Sequence, residues 1–294
     1  MLMRSKLFVP GSRPELFAKA VASAADALSF DLEDAVTKSR KAEARSLVSA
    51  FLHNTPANIE KILIVRVNAV GTPFFEADIE AVVSPRLDII NLTMVEETAA
   101  VMEAAALLDR IEKPGDVAGR TRILVNIETP KALRDAAKLA AAHPRIAGLQ
   151  IGYADLLEPC GIDRSDHAAL AHIRIAVRLA AAEAGIQAYD GAYGVVTAPD
   201  AFRAECESAR RHGFAGKSCI HPSQIEIANE AFMPKAAEIE RARRILAAEA
   251  DANGVGAFLV DGHMIDEPFL ISARAIVALA DFHASATGGR EALR

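Results

Sequence analysis

Eightfold alternation constrains this chain more than any other feature. Short apolar stretches bounded by polar turns alternate with alanine-rich helical patterns. Strand patterns fall at 6–9, 27–31, 62–68, 88–92, 123–128, 148–151, 187–190 and 216–220. Helical patterns follow at 14–25, 38–52, 74–82, 96–110, 130–141, 167–184, 199–212 and 222–231. Such alternation implies parallel strands with helices packed outside them. Eight units suit an α/β fold of the closed (β/α)8 TIM barrel type, whose usual size is about 250 residues. A doubly wound open sheet is the alternative. Helix starts agree with the map: Thr129-Pro130 sets a capping hydroxyl before a proline, and Pro199 and Pro222 stand where helices should begin.

The pattern changes after Phe232. Residues 1–233 are expected to form the barrel. Residues 234–294 read as a C-terminal extension: a helix, a glycine-rich turn, a hairpin around Asp261-Gly262 and a last helix over 268–286. Such a piece is too small to hold much core alone, so it is expected to pack on the barrel or on a neighbouring subunit.

Composition narrows the function. A net charge of −6 over 294 residues argues against nucleic acid or an anionic membrane as the main partner. No apolar run approaches the roughly 20 residues of a membrane span. Pro10-Gly11 interrupts the start too early for a signal peptide. Cys160, Cys206 and Cys219 are odd in number and widely spaced, which fits neither a disulfide framework nor a zinc site. A reducing, cytoplasmic setting is expected.

Side chains in barrel strands alternate between the interior and the helix layer. In "ALSFDLED", Leu28, Phe30 and Leu32 share one parity, and Ala27, Ser29, Asp31 and Glu33 the other. "VRVN" places Arg66 and Asn68 together, and "NIE" does the same for Asn126 and Glu128. In each strand the polar pair comes last, at the end where barrel enzymes build their sites. Strand ends are also polar simply because they are wet, but three strands of shared parity favour a site. Arg66 is expected to pair with Glu33 or Asp34, which then act as supports that aim the guanidinium. Glu128 and Asp155, in "IGYADL", have no basic neighbour in sequence. Two carboxylates at a barrel mouth suit Mg2+, which takes one or two from protein; a pair of helix-capping acids is the plainer account. Backbone N–H groups of residues 153–155, after Gly152, suit a substrate carboxylate. The histidines carry little signal: His167 and His172 are five apart, and His221 suits a cap. "GFAGK" lacks P-loop spacing, so Lys217 is no phosphate-loop lysine.

The ordered motifs "RSKLFVPGSRPELFAKA", "ALSFDLEDAV", "VRVN", "NIETPKAL", "IGYADL" and "GFAGKSCIHPSQIEIANEAFMP" resemble the citrate lyase β-subunit-like family of the HpcH/HpaI aldolase superfamily, which includes malyl-CoA and citramalyl-CoA lyases. The resemblance runs from Arg4 to about Pro268. It implies a (β/α)8 barrel, a homo-oligomer (trimer or hexamer), and Mg2+-dependent cleavage of a carbon–carbon bond in a 3-hydroxyacyl-CoA thioester of the malyl, citramalyl or citryl type, giving acetyl-CoA and a keto acid. It also implies Glu128 and Asp155 as metal ligands, Arg66 as substrate contact, and Phe8, Arg13 and Lys19 as contacts to CoA. "VDGHMIDEP" resembles the family's C-terminal motif, whose aspartate, here Asp266, reaches a neighbouring subunit's active site as proton donor; a helix cap is its plainer role. The family usually has Pro-Lys after the fourth strand, where this chain has Thr93-Met94, so a cationic contact is missing. Two alternatives stand: a citrate lyase β subunit acting on a thioester held by an acyl carrier protein, and a non-catalytic regulatory homologue.

Overall fold

The computed structural model describes residues 2–56, 59–112, 121–252 and 256–291. They fall into two compact units, Met1–Phe232 and Met233–Arg294. The first contains eight parallel strands: β1 (Ser5–Pro10), β2 (Ala27–Asp31), β3 (Ile62–Arg66), β4 (Ile89–Leu92), β5 (Arg122–Ile127), β6 (Ile146–Ile151), β7 (Gln187–Asp190) and β8 (Gly216–Cys219). Each pairs with the next, and β1 closes on β8, so the sheet is a (β/α)8 barrel and the open-sheet alternative falls.

The period-two pattern does what the pleat requires. Leu28, Phe30, Leu32, Val65 and Val67 join the layer between strands and helices, where Phe30 meets Phe17 and Phe51 at centroid distances of 4.9 and 4.8 Å. The opposite parity faces the interior. Met3, Ala27, Ile64, Ile89, Leu124 and Tyr189 fill its lower part, towards the amino ends of the strands. Above them the interior turns polar, with Lys6, Ser29, Asn91, Asn126, Gln150 and Ser218 all buried. The mouth lies above this layer.

Several helices are less regular than their patterns suggest. Pro14–Leu16 and Pro222–Gln224 are single 3-10 turns before Phe17–Ala22 and Ile225–Ala231. The helix expected over 130–141 breaks at Asp135 (φ −100°, ψ 15°) into Pro130–Arg134 and Ala136–Ala140. Thr129 caps the first piece, its hydroxyl accepting from Ala132 N at 3.1 Å.

The second unit has a helix, Ala236–Asp251, an antiparallel hairpin, β9 (Phe258–Val260) and β10 (His263–Ile265), and a last helix, Glu267–Glu291. Asp261 and Gly262 both have positive φ, 50° and 77°, as a two-residue hairpin turn needs. Ala242, Ile245, Ile265, Leu270 and Ala273 form its small core. Residues 253–255 of the expected glycine-rich turn lie outside the described residues. No helix among the described residues is long and apolar enough to cross a membrane.

Candidate active site

The site starts from strand register. Asp31 and Arg66 are direct partners at the ends of β2 and β3 and share the interior parity. Arg66 Nε and Nη2 donate to the two Asp31 oxygens at 2.8 and 2.6 Å. Its remaining nitrogen, Nη1, lies 3.0 Å from Glu33 and 3.5 Å from Asp34. Arg66 thus pairs with Glu33 and Asp34, as expected from sequence, but the fork itself grips Asp31. Those two acids stand past the strand end and reach only the free side of the guanidinium. Burial works against the Arg66 charge, but the hydrogen bonds and charge of Asp31, then Glu33 and Asp34, outweigh it and raise its pKa.

Glu33 carries the strain of this crowding. Burial first, then repulsion from Asp34 and Asp31, push its carboxyl up to about 8 despite the attraction of Arg66. The folded chain thus holds this proton where the unfolded chain, near 4.5, has lost it. Stability from this group is present at low pH and falls as pH rises through that window. In thermal melts from pH 5 to 9, Glu33→Gln should gain Tm over the wild type progressively as pH rises. An unchanged difference across the series would contradict the assignment.

Glu128 ends β5 and is buried. Its Oε1 accepts from Met94 N–H at 2.5 Å and its Oε2 from Asn126 Nδ2 at 2.9 Å. Burial raises its pKa, those two donors lower it, and Asp155 raises it again. Asp155 is exposed at the mouth, in the one-turn helix Tyr153–Leu157; burial and the charge of Asp34 raise its pKa. Neither carboxylate forms an ion pair among the described residues. A Cβ on residue 152 would stand 2.6 Å from Glu128 Cβ, so only glycine lets the strand end and this carboxylate coexist. Arg66 attracts both acids but is already committed to Asp31, so two carboxylates with no ion pair of their own fit a cation's donor set. No group of three or more His, Cys, Asp or Glu suited to a metal occurs among the described residues, so water and substrate would supply the other ligands.

Thr93-Met94 shapes the mouth in its own way. Thr93 is buried, its hydroxyl 3.3 Å from the Val67 carbonyl. Met94 adopts φ 52°, which turns its N–H onto Glu128 while leaving the thioether exposed. Phe8 has Lys6 Nζ 4.4 Å and Arg66 Cζ 5.0 Å from its ring centroid, and burial and Arg66 push the Lys6 pKa well down. Arg13 is exposed and paired with Glu15 at 2.8 Å. Lys19 is exposed and has no ion pair among the described residues. His221 is a cap, with Nδ1 accepting from Ser223 N–H at 3.2 Å.

A buried ionic cluster was not foreseen. Asp190 takes Lys217 at 2.5 Å, two Arg174 nitrogens at 3.1 and 3.0 Å, and the Tyr153 hydroxyl at 2.6 Å. Glu205 joins Lys217 at 2.8 Å and Arg174 at 3.2 Å. Burial alone would raise the Asp190 pKa, yet Lys217 and Arg174 hold it well below the usual carboxylate range. Tyr153 opens the turn that carries Asp155, so the cluster anchors that turn. A lysine inside the "GKSC" strand, on the parity of Cys219 that faces the helix layer, is the sequence signal for it.

In the second unit, Asp266 starts the last helix with its backbone carbonyl, which accepts from Phe269 and Leu270 N–H at 3.0 and 3.2 Å. Its side chain is no cap: Oδ1 is buried with no hydrogen-bond partner among the described residues.

A parallel barrel with carboxylates and a fixed guanidinium at the carboxyl ends of its strands defines an α/β-barrel enzyme. The HpcH/HpaI aldolase/citrate lyase family model matches residues 4–222, and the chain belongs to that family of lyases. It is 37% identical over 281 residues to a (3S)-malyl-CoA thioesterase of Cereibacter sphaeroides, covering 95% of this chain and 94% of the relative. It is 35% identical over 283 residues to the citrate lyase subunit beta of Escherichia coli, covering 95% and 93%. Among solved structures it is similar to protein CitE from Mycobacterium tuberculosis in complex with magnesium, acetoacetate and coenzyme A. That match has a TM-score of 0.75 and 32% identity, and covers 95% of this chain and 98% of the other.

Proposed function

We propose that this chain is a Mg2+-dependent carbon–carbon lyase that splits a 3-hydroxyacyl-CoA thioester of the malyl, citramalyl or citryl type into acetyl-CoA and a keto acid. One observation carries the reading: Glu128 and Asp155, close enough for their charges to interact, form no ion pair among the described residues, and the cation near both, Arg66, has its fork gripped by Asp31. The magnesium, acetoacetate and coenzyme A named with the CitE neighbour support the same ligand classes here. Held by Glu128 and Asp155, Mg2+ would act as a Lewis acid on substrate oxygens. The remaining work falls to side chains. The substrate hydroxyl gives its proton to the Asp266 carboxylate, the adjacent carbon–carbon bond breaks, and the hydroxyl carbon becomes the carbonyl of the keto acid. The bonding pair stays with the thioester half as an enolate, whose charge Arg66 stabilises. Asp266 then protonates that carbon. Phe8, Arg13 and Lys19 bind CoA, with the two cations facing its phosphates.

Asp266 belongs to the second unit, and we assign it to the active site of a neighbouring subunit in a trimer or hexamer. The resemblance of "VDGHMIDEP" to the family's C-terminal motif supports this. Asp266→Ala and Glu128→Ala subunits should each be inactive alone. Mixed and reshuffled, they should regain activity, because some interfaces pair an intact barrel with an intact tail. No recovery despite proven subunit exchange would contradict a donated tail.

Incubation with malyl-, citramalyl- and citryl-CoA, with and without Mg2+, tests the substrate class: metal-dependent turnover of at least one is expected. Turnover only of a carrier-bound citryl thioester would move the chain to the citrate lyase subunit reading, with an acyl carrier protein as partner. A second reading rests on the relatives named malyl-CoA thioesterase. It cleaves the thioester and not the carbon–carbon bond, and the products separate the two.

A further inference from the structure

The interior layer beneath the mouth is a chain of hydrogen bonds with a fixed direction. Lys6 on β1 donates from Nζ to Asn91 Oδ1 on β4 at 3.2 Å. Asn91 Nδ2 donates to the Leu124 carbonyl at 3.1 Å and to Asn126 Oδ1 on β5 at 2.8 Å. Gln150 Nε2 on β6 donates to the same Asn126 oxygen at 3.1 Å. Asn126 then has one side left, and its Nδ2 donates to Glu128 Oε2 at 2.9 Å. Turning the Asn126 amide over would set its NH2 against two donors and its oxygen against a carboxylate. Turning Asn91 over would set its oxygen against the Leu124 carbonyl and the Asn126 oxygen. All four side chains are buried, so no bulk water is at hand to replace a lost partner.

We propose that Lys6, Asn91 and Gln150 are positioning residues that act through Asn126 to fix the Glu128 carboxylate for its metal ion. This rests on the reading of Glu128 as a Mg2+ ligand. Partners behind a ligand orient it, and their loss typically weakens metal binding about 10–100-fold. Lys6 gives the proposal a distinctive sign. Charge cannot explain a loss of affinity: burial and Arg66 push the Lys6 pKa well down, and any positive charge left on the amine would oppose Mg2+ binding. Through the hydrogen-bond chain, removal of Lys6 leaves Asn91 Oδ1 without a donor, frees the amides to shift and weakens binding.

The test is calorimetric Mg2+ binding to wild type, Lys6→Met, Asn126→Leu and the double variant, with Glu128→Ala as control and thermal melts to confirm folding. Asn126→Leu should raise Kd by about tenfold or more. Lys6→Met should raise it several-fold, and should add nothing in the Asn126→Leu background, because its influence passes through that amide. A Kd in folded Lys6→Met that is unchanged or lower, or an effect that simply adds to that of Asn126→Leu, overturns the proposal. If Lys6→Met does not fold, Gln150→Met takes its place in the cycle, since it holds the same Asn126 oxygen from the other side. If Glu128→Ala binds Mg2+ as the wild type does, the assignment of the metal ligand fails, and not the positioning chain alone.

Discussion

Glu128→Ala and Asp155→Ala should each abolish turnover and cut Mg2+ affinity by at least about 100-fold, while the barrel stays folded. On the proposed assignment each removes one of two protein ligands, with no third carboxylate to compensate. The fold should not suffer. Glu128 is a buried acid whose pKa is raised by burial and by Asp155, so its ionised form is there at a cost to stability. Its loss relieves that cost but leaves the Met94 N–H and Asn126 Nδ2 without their acceptor, so Tm should change little at neutral pH. A stability loss large enough to explain the lost activity would point to a structural role. Unchanged Mg2+ binding in both variants would misplace the metal site.

Arg66→Lys should lower kcat by about 10²–10³-fold, the scale seen when one donor to a developing oxyanion is removed. The charge survives, but the planar fork does not. Lysine cannot make the parallel bonds of 2.8 and 2.6 Å to Asp31 while also reaching Glu33 at 3.0 Å. The released acids then repel one another, so Tm should fall as well. Steady-state kinetics with melting curves read both effects. Near-normal kcat would mean that Arg66 only balances the acids and that the enolate is stabilised elsewhere.

The barrel was legible because both its periodicities are local. Apolar strands of four to six residues, and prolines at helix starts, report directly on backbone geometry. The same parity correctly sent Arg66, Asn126 and Glu128 away from the helix layer; Asn68, past the end of β3, instead donates to Asp78 on the helix Phe75–Val82. What it could not supply was the partner across strands. Asp31 was seen as one of a polar set but not as the residue the fork grips, because that depends on the Asp31↔Arg66 register, a non-local quantity. Lys6 and Lys217 escaped for a related reason. A lysine within a strand reads as a surface residue until the partners that justify its burial, Asn91 for one and Asp190 for the other, are brought from distant strands. Met94 was noted for the charge it lacks. Its backbone, turned to φ 52° so that its N–H meets Glu128, leaves no trace in composition.

The central claim is that the bond broken is carbon–carbon and that Mg2+ is required. Mass-spectrometric analysis of the products from malyl-, citramalyl- or citryl-CoA, followed over a Mg2+ titration, tests it most directly. The account predicts acetyl-CoA and the matching keto acid in equal amounts, rising with metal and absent with chelator. Free CoA and the intact hydroxy acid as the first products, or cleavage indifferent to Mg2+, would contradict it.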